Sequence, residues 1–100
     1  MPKSDITVKK HVSPDKRLIL VLCDSDQLGK RYSEGKLFLD LTVPFYQGHA
    51  QQEQTILQLV YQASIIHVVG KESCALVRKA GYDITPATIQ GVPHVEVVIS

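Results

Sequence analysis

Four histidines, a pair of aspartates and a few cations are the side chains of this sequence best equipped for chemistry. His94 stands out among the histidines. Pro93 fixes the backbone just before it and Gly91 permits a tight approach, so its imidazole is held at the entrance to a strand. A general base is one role for His94, and it is the candidate around which a small enzyme could be built. Pairing with a carboxylate such as Asp24 or Asp40 is the plainer role, because ion pairs perturb histidines without any catalysis. His67 sits inside an apolar run and reads as a hydrogen-bonded core residue, while His49 falls in a loop. The spacing of His11, His49, His67 and His94 matches no zinc pattern.

Asp24 and Asp26 suggest metal ligation only until their neighbours are counted. No third carboxylate or histidine lies at useful local spacing, whereas Asp24 with Gln27 has the spacing of a helix-capping box. No metal and no cofactor are expected. Lys30, Arg31 and Lys36 bracket turns at Gly29 and Gly35. If both turns lie at one end of the strands, three cations converge and can hold phosphates. Lys71 opens a segment with helical periodicity, and the start of a helix attracts anions. The glycine spacing of a phosphate loop is missing there. Phe45 and Tyr46 form an aromatic corner that either plugs the core or offers Tyr46 as a stacking platform for a base. The aromatic interleaving of an RNA-recognition sheet is absent. So are the nucleophile elbow and the dinucleotide fingerprint, which argues against triad and nucleotide-dependent enzymes.

These residues sit on an ordinary globular composition. The chain has 100 residues, 44% hydrophobic and 21% charged, with a net charge of +1. That describes one domain over residues 1–100 with a modest core. Net charge supplies no global attraction to nucleic acid, but its distribution is uneven. Residues 1–36 hold eight Lys/Arg against five Asp/Glu, and residues 37–70 hold no Lys/Arg. No apolar run reaches the ~18 residues of a membrane span, and the N-terminus lacks the apolar centre of a signal peptide. A cytoplasmic protein is expected. Cys23 and Cys74 read as buried thiols rather than as a disulfide or metal knuckle.

The positioning elements follow from periodicity. Residues 6–12 alternate weakly and read as an edge strand; the Ser13–Lys16 turn joins them, as an antiparallel hairpin, to a continuous apolar run over 18–23. Residues 25–29 read as one helical turn closed by Gly29. Leu37, Leu39, Leu41 and Val43 alternate as the inward side of a half-buried strand ended by Pro44. Residues 51–64 carry Ile56, Leu57, Val60 and Ala63 on one helical face. The opposite face is rich in glutamine and almost uncharged, which hints at a protein partner. Residues 65–69 suit a buried strand, although the helix running on through them is an alternative. A second helix over 72–80 stops at Gly81, and residues 95–99 form a terminal strand. The expected fold is α/β of the α+β type: a mixed sheet of about five strands with two main helices.

The ordered segment C-D-x-D-x-L-G-K-x-Y-x-E-G-x-L-x-L-x-x-x-x-x-F-Y-x-G from Cys23 to Gly48, the Val69–Glu72 turn and the G-V-P-H turn at 91–94 resemble the archaeal family called domain of unknown function 424. The resemblance spans roughly residues 17–97. Cys74 and the apolar tail from Val95 to Ile99 depart from the pattern without touching the shared motifs. The family pattern falls on Asp24, Asp26, Gly29, Lys30, Glu34, Gly35, Tyr46, Gly48, Gly70, Glu72, Gly91, Pro93 and His94. The resemblance implies a small α/β domain with no established activity, suspected of a role near translation. Three functions are therefore expected. The first is a non-enzymatic RNA- or ribosome-associated factor using Lys30, Arg31, Lys36, Tyr46 and Lys71. The second is a protein-interaction module using the glutamine-rich helix, and the third is a small enzyme centred on His94. Oligomeric state is not readable from the sequence.

Overall fold

The computed structural model describes residues 5–99. Strands β1 (Ile6–Val12) and β2 (Leu18–Asp24) pair antiparallel, in the register Ile6 opposite Asp24. Lys16, with φ 68°, turns the chain between them. Strands β3 (Arg31–Glu34) and β4 (Leu37–Asp40) form a separate two-stranded sheet. A 3-10 turn at Pro44–Tyr46 leads to the two-residue strand β5 (His49–Ala50) and then helix α1 (Glu53–Gln62). Strand β6 (Ile65–Val69), helix α2 (Lys71–Lys79) and strands β7 (Ala87–Ile89) and β8 (Val92–Val98) complete the chain. The main sheet has six strands in the order β5-β1-β2-β6-β8-β7, with β2 and β6 parallel and the other pairs antiparallel.

The continuous apolar run of β2 is explained by its place in the sheet. Leu20 and Leu22 face α1 and α2, where they join Ile56, Val60, Ile66, Val68 and Val77 in the larger core. Cys23 faces the other side and packs with Leu39, Leu41, Val69, Ile89 and Val92 under the β3–β4 hairpin. A strand buried on both faces has no polar face to show. Residues 65–69 pair with both β2 and β8, so they are a strand and not a continuation of α1. The helix stops at Ala63, whose backbone turns extended. Among the described residues no helix is long and apolar enough to cross a membrane.

The expected α+β fold, a mixed sheet with two main helices, is the one observed; the main sheet has six strands where about five were expected, because β5 and β7 are too short to show a period. Three expectations change. Residues 25–29 form two successive turns, closed by Gln27 N–H to the Asp24 carbonyl and Lys30 N–H to the Gln27 carbonyl, not a helical turn. The half-buried strand ends at Asp40, and only Leu39 and Leu41 of its inward set are buried; Leu37 and Val43 are exposed. His49 lies in β5, where it pairs with Val8.

Both cysteines are free and buried. Burial, with the charges of Asp24 and Asp26 adding to it, pushes the Cys23 thiol up to about 12. Burial also raises Cys74. Since the thiolate is the reactive form, neither cysteine should be alkylated in the native protein at pH 8, and both should react in denaturant. Rapid modification of the folded chain, read by intact mass, would contradict this packing.

Candidate functional site

Asp24 ends β2 beside the start of α2. One carboxylate oxygen accepts the Ser73 amide at 2.8 Å and the Ser73 hydroxyl at 2.8 Å; the other accepts the Glu72 amide at 3.0 Å. Asp24 therefore caps a helix 48 residues further on, not the turn that follows it. The two helix amides an anion would seek near Lys71 and Ser73 already have a carboxylate on them, while Lys71 itself is exposed. Gly70 makes this approach possible. Its φ is 105°, and a Cβ built there would lie 2.1 Å from the Asp24 Cγ. The Gly70 amide donates to the Pro93 carbonyl at 2.8 Å, tying the start of β8 to the same corner.

These contacts floor a polar cleft of about 380 Å³. It opens at the carboxyl ends of the parallel strands β2 and β6, the place where α/β sheets present ligand crevices. Asp24, Asp26, Gly70, Glu72, Gly91 and Pro93, scattered through the family pattern, meet there with Gln27, Tyr32, Lys71 and Gln90. The Gly91-Val92-Pro93 turn thus does meet the Asp24 turn in space. Much of this convergence is structural: it closes the corner where two turns, a helix start and a strand start adjoin.

His94 does not share that cleft. Among the described residues no carboxylate bonds to it: the Asp24 oxygens go to α2, and Asp40 accepts from Thr42 and lies 3.5 Å from the Arg31 guanidinium. The expected pairing of His94 with Asp24 or Asp40 is thereby corrected. The cause is strand alternation, which turns His94 to the sheet face away from the helices. Its Nε2 is buried and has no hydrogen-bond partner among the described residues. His67 shares that face. Its ring meets Phe45 edge-on at 5.1 Å, and its Nε2 lies 3.5 Å from Glu96. Burial lowers the His67 pKa below 6.5, with Glu96 opposing the shift and His11 adding to it. His11 also stacks on Phe45, with ring centres 4.7 Å apart and nearly parallel planes. No group of three His, Cys, Asp or Glu side chains among the described residues is placed to hold a metal ion.

The hairpin separates the expected cations. The Gly29 turn precedes β3 and the Gly35 turn follows it, so Lys30 and Lys36 lie at opposite ends of the strand rather than converging. All of Lys30, Arg31 and Lys36 are exposed. Asp40, held below the usual carboxylate range by hydrogen bonds from Thr42 and by Arg31, offsets part of their charge. Gln90 fastens the hairpin to the β7–β8 turn, donating to the Glu34 carboxylate at 3.1 Å and the Ser33 carbonyl at 2.7 Å. Tyr46 is half-buried against the smaller core, and burial raises its pKa. The exposed aromatic of this region is instead Phe38, 64% accessible and paired across the hairpin with Ser33, next but one to Arg31. Sequence reasoning passed over Phe38. Its signal was an aromatic at an outward position of an alternating strand.

The family model described as a protein of unknown function (DUF424) matches residues 11–99. The chain belongs to the DUF424 family. Its fold is also that of a crystal structure of an uncharacterised conserved protein from Methanopyrus kandleri. That chain is 27% identical, with a TM-score of 0.78, and the match covers 94% of this chain and 90% of the other. No curated protein matches the sequence. Membership in DUF424 accounts for the ordered motifs and carries no activity with it.

Proposed function

We propose that this DUF424 protein is a cytoplasmic, non-enzymatic factor that binds single-stranded RNA, free or on the ribosome, with the outer face of its β3–β4 hairpin. Phe38 carries the proposal. A phenyl ring 64% exposed costs free energy in water, and here it shares the outer face of the hairpin with Arg31, with Lys30 and Lys36 just beyond the two ends of β3. Base stacking on an exposed ring with flanking cations on phosphates is the sequence-tolerant mode of single-strand binding. In this reading the stacking role passes from Tyr46, which is packed inward, to Phe38; Lys71, on the cleft rim, is a secondary phosphate contact.

A second reading uses α1. Gln54, Gln58, Tyr61 and Gln62 are exposed on it, and Tyr61 is 64% accessible. Tyrosine on an uncharged face suits a protein interface. Affinity purification from native cells, with and without nuclease, separates the two. RNA that copurifies, and companions lost on nuclease treatment and in Phe38→Ala, are the expected result. Companions that survive nuclease but are lost in Tyr61→Ala would replace the first reading with the second.

A further inference from the structure

The turn at Gly35-Lys36 joins β3 to β4 with Glu34 opposite Leu37 and Tyr32 opposite Leu39. Leu41, the next in that series, donates its N–H to the Lys30 carbonyl at 2.9 Å. Bonded positions alternate along an antiparallel pair. Leu37, Leu39 and Leu41 therefore turn their backbone groups toward β3. The N–H and C=O of Phe38 and Asp40 point the other way, off the outer edge of β4. Among the described residues no second strand lies beside that edge, and no turn or loop bonds to those groups.

An open edge recruits another strand unless something blunts it. The register of β4 runs without a bulge, and the strand holds no proline. Leu37 is 52% and Phe38 64% exposed, so the edge is also apolar. Its guard is Lys36. On the same outer face, four residues on, lies Asp40. Alternation puts Lys36, Phe38 and Asp40 on the outer face and Leu37 and Leu39 on the inner one. The segment Lys36-Leu37-Phe38-Leu39-Asp40 is thus complementary to itself when laid antiparallel about Phe38: lysine meets aspartate, leucine meets leucine and phenylalanine meets phenylalanine. Asp40 can accept the extra cation. Thr42 and Arg31 both approach its Oδ1, while Oδ2 has no partner among the described residues.

We propose that the edge of β4 binds a second copy of this chain, pairing antiparallel about a two-fold axis at Phe38 and joining the two hairpins into one four-stranded sheet. Phe38 exchanges its N–H and C=O with Phe38 of the partner subunit. Lys36 pairs with the partner subunit's Asp40, and symmetry repeats the pair on the other side of the axis. Leu37 packs on the partner subunit's Leu39 across the inner face. One short strand from each copy buries well under the ~1,200 Å² of a standard interface, so the dimer is weak and its population follows concentration. The inference goes beyond RNA binding. It uses the edge of the hairpin, leaves the outer face open, and is tested with no RNA present.

The test is sedimentation velocity of the nuclease-treated full-length protein from about 10 µM to about 1 mM, the range in which a contact of this size assembles. The mass should rise from monomer to dimer across it. Hydrogen exchange locates the contact. The Phe38 and Asp40 amides should gain protection with concentration, whereas those of Leu37 and Leu39, already turned toward β3, should not change. Lys36→Asp sets like charges opposite each other twice and should weaken the dimer about tenfold or more. Asp40→Lys should do the same, and an equimolar mixture of the two variants should recover the wild-type affinity, since every charge then faces its opposite. Lys36 is exposed in the turn, so the Lys36→Asp result stands even if Asp40→Lys fails to fold. A monomer at every concentration, protection that appears at β5 or β7 instead of β4, or a dimer indifferent to Lys36→Asp would each overturn the proposal.

Discussion

Gly70→Ala should destabilise the protein by about 3–5 kcal/mol, a large share of the 5–15 kcal/mol typical of a folded domain. Two costs add. At φ 105° an L side chain is strained by about 1–3 kcal/mol. The new methyl would also lie 2.1 Å from the Asp24 Cγ, a contact that must be relieved by moving a buried carboxylate off the amides it caps. Gly81→Ala supplies the control. Gly81 has nearly the same φ, 104°, but nothing lies within 4 Å of its built Cβ. Strain alone predicts equal losses at the two positions. The close packing at Gly70 predicts that its loss is the larger by ~2 kcal/mol or more, the scale of overpacking in a closed site. Urea unfolding of the three proteins measures the difference, and equal midpoints for the two variants would refute the account of this corner.

Asp24→Ala should cost about 2–4 kcal/mol, because it removes the carboxylate that accepts from two amides and a hydroxyl at the start of α2, where Ser73 is fully buried. Asp24→Asn should fall between. It keeps one carbonyl oxygen for Ser73 but turns an NH2 group toward the Glu72 amide. The double variant Gly70→Ala/Asp24→Ala should lose less than the sum of its parts, since the methyl then enters space the carboxylate has vacated. Additive losses in denaturant titrations would show that Gly70 and Asp24 do not act as one contact.

That contact also marks where sequence reading stops. Chain-local signals were legible. The unbroken apolar run of β2, the 3.6-residue period of α1, Gly81 as the stop of α2 and the G-V-P-H strand entrance all appear in the structure near their expected places. Each is decided by residues a few positions away. Asp24 looked like a local cap because Gln27 lies three residues on, yet its partners are 48 and 49 residues distant. No local pattern encodes that pairing. Strands β5 and β7 have two and three residues, too few to display alternation. The placement of Lys30 and Lys36 at opposite ends of β3 depended on where the strand began. His94 was legible as a held imidazole; the absence of a carboxylate partner was not, because strand pairing decides which face it takes. Phe38 falls on the outward side of the alternating strand, but the period alone does not decide whether another element covers an outward aromatic.

The most direct measurement of the central claim is fluorescence anisotropy of a labelled single-stranded RNA titrated with the protein across a salt series. Affinity should fall as salt rises. Lys30→Ala/Arg31→Ala should flatten the slope by about two contacts' worth, ~1.4 in log–log slope for a single strand. Phe38→Ala should weaken binding by roughly fivefold or more without changing the slope, as loss of one stacked base requires. No binding at low salt, or binding indifferent to both variants, would contradict an RNA-binding hairpin.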